Sequence, residues 1–175
     1  LFIGLPFQFS ESMQVSYGGS FFDLLNPFAL FCGVVSLSMI VLHGASYLQL
    51  RSEGIVAQRA RKVAMIAGLS TALLFALGGL LVSQLKGYQV TSNLNHNMIV
   101  NPLMKTVIRT EGGWLNFLTV YPVLWLIPLT GVFGALFASL ASWKNWHWLA
   151  FISSAKTCGT IVATAGIALF PFVLP

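Results

Sequence analysis

Charge is what this chain has least of. Only 7% of its 175 residues are Asp, Glu, Lys or Arg, where a soluble globular domain carries about 25%. Hydrophobic residues make up 57% and the mean hydropathy is +0.83. A chain this poor in charge cannot keep a globular surface in water, so a soluble fold is excluded. The net charge of +5 rests on nine Lys and Arg scattered over several segments. They form no basic stripe, which excludes a nucleic-acid partner. Cysteine is also scarce. Cys32 and Cys158 lie in apolar segments, by position near opposite membrane faces, so they read as small buried hydrophobes rather than as a disulfide. Histidine occurs three times, without an HxxxH, ExxH or CxxC pattern. A metal site in this segment is therefore not expected. Nor can a Ser-His-Asp set, a phosphate-cradling glycine loop or a pair of intramembrane carboxylates be assembled, so no catalytic residue is assigned.

What the chain does have is four long apolar runs, at about 28–50, 63–85, 120–142 and 149–170. A helix rises about 1.5 Å per residue, so about 20 apolar residues span a hydrocarbon core about 30 Å thick. The pattern predicts an all-α, polytopic transmembrane bundle forming a single domain over 1–175. The opening LFIGLPF reads as the last turns of an earlier helix, and the closing FPFVLP lacks a hydrophilic tail. The expectation is a stretch of a longer integral membrane subunit. No signal-peptide pattern is present.

The connectors carry their own signals. Residues 8–26 form a polar linker, and Asn26-Pro27 is a cap and first-turn pair for the first span. Residues 51–62 read as a charged loop. Residues 87–119 read as a long polar connector, with a short surface helix opening at Asn101-Pro102 and closing at Gly112. Trp114, Tyr121 and the three Trp of WKNWHW fit an interfacial aromatic belt. Pro128 predicts a kink near the entry of the third span. Loops 51–62 and 143–148 hold Arg51, Arg59, Arg61, Lys62 and Lys144, whereas the longer connectors hold Lys86, Lys105 and Arg109. The positive-inside rule then places the basic loops in the cytoplasm.

Three polar residues in the spans are candidate functional groups: His43, Tyr47 and Lys156. His43 is the one histidine within a span. Met39 precedes it by one turn on the same face, so those two cannot take opposite sides of a haem iron. A His43–Met65 pair across two spans is geometrically open, and a His43 hydrogen bond to a neighbouring helix is the simpler reading. Lys156 has either a snorkelling or hydrogen-bonding role or a place in a proton pathway. Its pathway role needs a carboxylate, yet Glu11, Asp23, Glu53 and Glu111 all lie in connectors. Small residues recur four apart in three rows: Gly131, Ala135 and Ser139; Gly134, Ala138 and Ser142; Ala155, Gly159 and Ala163. Such rows let helices approach closely within the chain, or dock a partner subunit. An alternative class is a transporter or exporter component, with Pro128 and Gly78-Gly79 as broken-helix signals.

Ordered motifs carry a resemblance across the whole chain. Phe21-Phe22, Leu24 to Phe28 (LLNPF), Gly33 to Ser36 (GVVS) and Gly44 to Leu48 lead to the basic loop. Gly87-Tyr88, Asn101-Pro102, Glu111 to Trp114, Tyr121 to Trp125 and Thr164 to Phe172 follow in order. This sequence resembles subunit II of the cytochrome bd quinol oxidases. The resemblance implies an oxidoreductase of aerobic respiration in the bacterial inner membrane, passing electrons from ubiquinol to oxygen electrogenically and without proton pumping. It implies that the b-type haems and haem d belong to a partner, subunit I, and that this subunit is haem-free. It further implies contact with lipid, a structural quinone and small accessory subunits. The family's acidic proton-access residues lie in helices that precede this segment and do not transfer onto it. His43 falls where the family varies between His and amide side chains. Lys156 falls where the family commonly has an apolar residue.

Overall fold

The structure is a computed structural model that describes residues 7–9, 14–19, 22, 25–90 and 107–170. A short hairpin, β1 (Phe7–Phe9) with β2 (Val15–Tyr17), comes first, with Phe7 opposite Tyr17. The linker thus contains paired strands, and residues 7–9 are not the end of a helix. Residues 1–6 of that expectation lie outside the described residues.

Helix α1 (Pro27–Arg51) starts as its sequence dictates. The Asn26 side chain accepts from the Ala29 N–H at 2.7 Å, and Pro27 takes the first turn, where a missing N–H leaves no bond unmade. A two-residue link leads to α2 (Gly54–Gln84), whose 31 residues absorb most of what reads as a charged loop in the sequence. The correction has a simple cause. Arg, Lys, Gln and Ala are good helix formers, and polarity alone does not end a helix.

Strands β3 (Lys86–Val90) and β4 (Val107–Glu111) pair antiparallel, with Lys86 opposite Glu111. The surface helix expected to close at Gly112 is therefore a strand over 107–111. Its start at Asn101-Pro102 falls outside the described residues. Threonine, valine and isoleucine in VIRTE favour the extended chain. Gly112, at φ 69°, turns the chain into a 3-10 turn (Gly113–Leu115) and the short α3 (Asn116–Val120). A second 3-10 turn (Pro122–Trp125) runs into α4 (Leu126–Trp143), and α5 (His147–Leu169) completes the chain. Pro128, where a kink is expected, is the third residue of α4 and follows closely on the 3-10 turn, so its absent N–H falls in the first α-helical turn, which leaves such groups without an intrahelical partner.

Among the described residues, four helices are long and apolar enough to cross a membrane: α1, α2, α4 with its preceding turn, and α5. They form an all-α, up-down-up-down bundle in which α1 and α4 each pack against α2 and α5. Its core is built from small residues. Leu42, Ala67, Ala72, Ala135 and Ala138 form the central cluster. Arg51, Arg59, Arg61, Lys62 and Lys144 gather at one end of the bundle, called the basic end below.

Candidate functional site

The bundle is tightest towards its basic end. Gly68 on α2 lies against α4 so closely that a Cβ there would fall 2.9 Å from both the Ala135 carbonyl oxygen and Ser139 Cβ. Ser139 Oγ donates to the Met65 carbonyl at 2.9 Å across the same contact. Ser153 on α5 donates to the Gly134 carbonyl at 2.7 Å, and Ser38 on α1 donates to the Ala67 carbonyl at 3.3 Å. Ser38 and Thr71 bring their hydroxyls within 2.8 Å. Each bond needs a small residue opposite, because only then does a one-carbon hydroxyl reach the next backbone. Two of the three small-residue rows are thus contacts within the chain. Gly131, Ala135 and Ser139 are buried, as are Ala138 and Ser142, while Gly134 meets Thr157 Oγ1. The third row is exposed at Ala155, Gly159 and Ala163.

His43 turns towards α5. Its Nδ1 lies 3.0 Å from Ser154 Oγ, and its ring stacks on Phe151 with centroids 5.1 Å apart. Ser154 commits its proton to the Phe151 carbonyl at 2.8 Å, so its oxygen accepts and His43 donates through Nδ1–H. That assignment of the tautomer follows from the hydrogen-bond pattern. One turn along, Tyr47 is half exposed and leans its ring on the same Phe151 at 6.0 Å. The α1–α5 seam continues to Cys158, whose Sγ lies 3.7 Å from the Met39 carbonyl. Both cysteines are free thiols. Lys156 is not drawn into this seam. It is exposed on the opposite side of α5, and its carbonyl accepts from Thr160 Oγ1.

Two further residues carry the basic end: Gln49, not singled out in the sequence, and Arg61, singled out there only as a loop charge. Gln49 is 2% exposed and donates through Nε2 to Ser142 Oγ at 3.0 Å, while its Oε1 has no partner. Arg61 reaches from α2 to the α4–α5 turn, donating to Asn145 Oδ1 at 2.7 Å and to the Trp143 carbonyl at 3.0 Å. Asn145, at φ 60°, is a tight-turn residue, which the sequence WKN only hints at.

Beyond Met39 and Cys158 the helices separate around an apolar cavity of about 680 Å³. Cys32, Val35, Phe75, Val132, Ile161 and Ala168 are among its walls. At that end the β3–β4 hairpin folds onto the following turn. A Cβ on Gly87 would come within 2.4 Å of the Trp114 N–H nitrogen, and the Tyr88 and Trp114 rings meet edge to face at 5.9 Å. Trp114 is 1% exposed, so it is a packing residue and not part of the interfacial belt. Tyr121, Trp143, Trp146 and Trp148 are exposed, as a belt requires.

No group of three His, Cys, Asp or Glu side chains comes together among the described residues. His43 offers one nitrogen and spends the other on Ser154, with Met39 on its own helix face. α2 runs unbroken through Gly78-Gly79, and Pro128 sits in the first turn of α4.

Comparison with known proteins agrees with the motif pattern. Residues 1–175 match the family described as cytochrome bd terminal oxidase subunit II. The chain is 44% identical over 173 residues to the cytochrome bd-I ubiquinol oxidase subunit 2 of Escherichia coli K12. It is 42% identical over 172 residues to a probable cytochrome oxidase subunit 2 of Haemophilus influenzae. Each match covers 98% of this chain and 46% of the relative, so the chain spans about half the length of these curated relatives.

Proposed function

Because the chain belongs to the cytochrome bd terminal oxidase subunit II family, we propose that it works as a haem-free, membrane-embedded portion of a quinol:oxygen oxidoreductase. Two quinols are oxidised to quinones and release four protons, and one oxygen molecule takes their four electrons and four further protons to become two waters. The b-type haems and haem d belong to subunit I, the partner. This chain contributes a rigid wall of four helices against which that chemistry is held. The observation that carries the reading is the family match along all 175 residues, joined to a bundle whose buried polar groups bond one helix to the next.

The basic end faces the cytoplasm of a bacterial inner membrane in this reading, since Lys and Arg are retained on that side. Protons for water formation enter from the cytoplasm, and quinol protons leave on the other face. Charge separation then follows without a pump. The cavity, with its largely apolar walls, suits a bound quinone or lipid chain. His43, Tyr47 and Lys156 are proposed as structural polar residues of the spans. Small accessory subunits are expected at the periphery of the assembly.

The test is to purify the full-length subunit alone and together with subunit I. Quinol-dependent oxygen uptake and the haem absorption bands are expected in the pair and not in the lone subunit. Stoichiometric haem on the lone subunit would overturn the division of labour.

A further inference from the structure

The connectors of this chain divide their charge unevenly. On the side away from the basic end they carry Lys86, Lys105 and Arg109 against Glu11, Asp23 and Glu111, so the signs cancel. At the basic end five cations, Arg51, Arg59, Arg61, Lys62 and Lys144, stand against one acid, Glu53. Four of the five are exposed. Arg61 is the exception, and it brings the others together. Its bonds to Asn145 Oδ1 and the Trp143 carbonyl tie α2 to the α4–α5 turn. Lys62 and Lys144, the sequence neighbours of the bonded residues, are thereby set at one level of the bundle.

α2 shows the depth at which these charges stand. Its 31 residues make a helix about 46 Å long, against a hydrocarbon core of about 30 Å. Its apolar run starts at about 63, so the turns over 54–62 stand in the headgroup layer. Ile55, Arg59, Lys62 and Ile66 follow at spacings of four, three and four along one outward face. Both isoleucines are more than half exposed. Such a face suits the boundary between acyl chains and phosphates, where long basic stems lie on apolar surface and their heads reach the charged layer. The turn supplies an aromatic half. Trp143, Trp146 and Trp148 are exposed, and Lys144 Nζ lies over the Trp146 ring, 5.2 Å from its centroid. Asn145, Trp146, His147, Trp148 and Leu149 border an open groove of about 360 Å³.

We propose that the basic end is a binding site for the headgroup of an anionic phospholipid. Arg59, Lys62 and Lys144 attract its phosphate, and its glycerol and first acyl carbons lie on Trp146 and Trp148 in the groove. Charge complementarity selects the occupant. A zwitterionic headgroup brings no net charge to a surface of five cations and one acid, whereas an anionic one does, and basic residues at the membrane surface draw such lipids to them. Trp is at home at the same level, because its ring is amphipathic. The proposal rests on the reading of this chain as a membrane subunit and on no step of the oxidase reaction.

The experiment uses the assembled full-length oxidase in nanodiscs of phosphatidylcholine with a minor share of phosphatidylglycerol. A photoreactive benzoylphenylalanine replaces Trp148 or, as a control, Tyr121, which is exposed at the other end. After irradiation the lipid adducts are identified by mass spectrometry. At position 148 the phosphatidylglycerol share is expected to exceed that of the disc severalfold, and at position 121 to equal it. Arg59→Gln, Lys62→Gln and Lys144→Gln together, with Arg61 left to hold the turn, are expected to bring position 148 down to the share in the disc. Should that variant not assemble, Lys144→Gln alone is expected to lose part of the enrichment. Equal shares at the two positions, adducts on protein in place of lipid, or enrichment that survives the substitutions overturns the site. So does displacement of the lipid by inorganic phosphate at an ionic strength where chloride has no effect. Oxygen uptake by the unaltered complex is read separately, so a wrong family function and a wrong lipid site give different results.

Discussion

Gly68 on α2 and Ser139 on α4 meet with no room for a methyl group between them, since a Cβ on Gly68 would stand 2.9 Å from Ser139 Cβ. The closeness does two things. It lets Ser139 Oγ reach the Met65 carbonyl one turn away at 2.9 Å, and it brings α4 into the centre, where Ala135 and Ala138 are fully buried. In a bilayer, where burying apolar surface brings helices no advantage over lipid, this contact and its hydrogen bond are what hold α2 to α4.

Gly68→Ala is therefore expected to destabilise the subunit by about 1–3 kcal/mol, the usual cost of overpacking. The readout is the thermal midpoint of the detergent-solubilised oxidase. Ser139→Gly in the same chain should recover part of the loss, because the Ala135 carbonyl still opposes the new methyl.

Gln49 and Ser142 should behave as a coupled pair. Ser142→Ala leaves the Gln49 amide without its one bond and is expected to cost about 1–3 kcal/mol. Gln49→Met removes a buried amide whose Oε1 already lacks a partner, so it should be close to neutral. A double-mutant cycle on unfolding should give less than the sum of the two.

His43→Gln should leave the reduced-minus-oxidised haem spectrum of the assembled oxidase unchanged, because His43 bonds Ser154 through Nδ1 and stacks on Phe151 within the α1–α5 seam. A modest fall in stability is expected from the lost stacking. Disappearance of any haem band would contradict the ligand-free reading of this chain.

Gly87→Ala should undock the β3–β4 hairpin. The new Cβ would lie 2.4 Å from the Trp114 nitrogen, a clash with backbone that no rotamer relieves. Hydroxyl-radical footprinting should then find Trp114, now 1% exposed, oxidised several times faster.

The bundle was readable in the order of residues because a bilayer leaves the backbone few choices. Every amide must be bonded within the segment, so a run of about 20 apolar residues is a helix before any neighbour is known. The Asn26-Pro27 start was legible for a similarly local reason, a cap and a fixed φ. The failures were also local in origin. The charged stretch at 54–62 reads as a loop because polarity resembles an ending, and the residues 107–111 read as helical because their strand partner, 86–90, is distant in sequence.

Which face of each span meets another helix was decided by packing. Three rows of small residues look alike in sequence, yet two pack within the bundle, buried except for the half-buried Gly134, and the third, on α5, is exposed. His43 and Lys156 looked equally unusual, and α5 took one into a seam and left the other on its outer side. A residue's direction around its own helix follows from periodicity. What stands there to meet it depends on how four helices settle around a shared core of alanines, and no segment carries that arrangement alone.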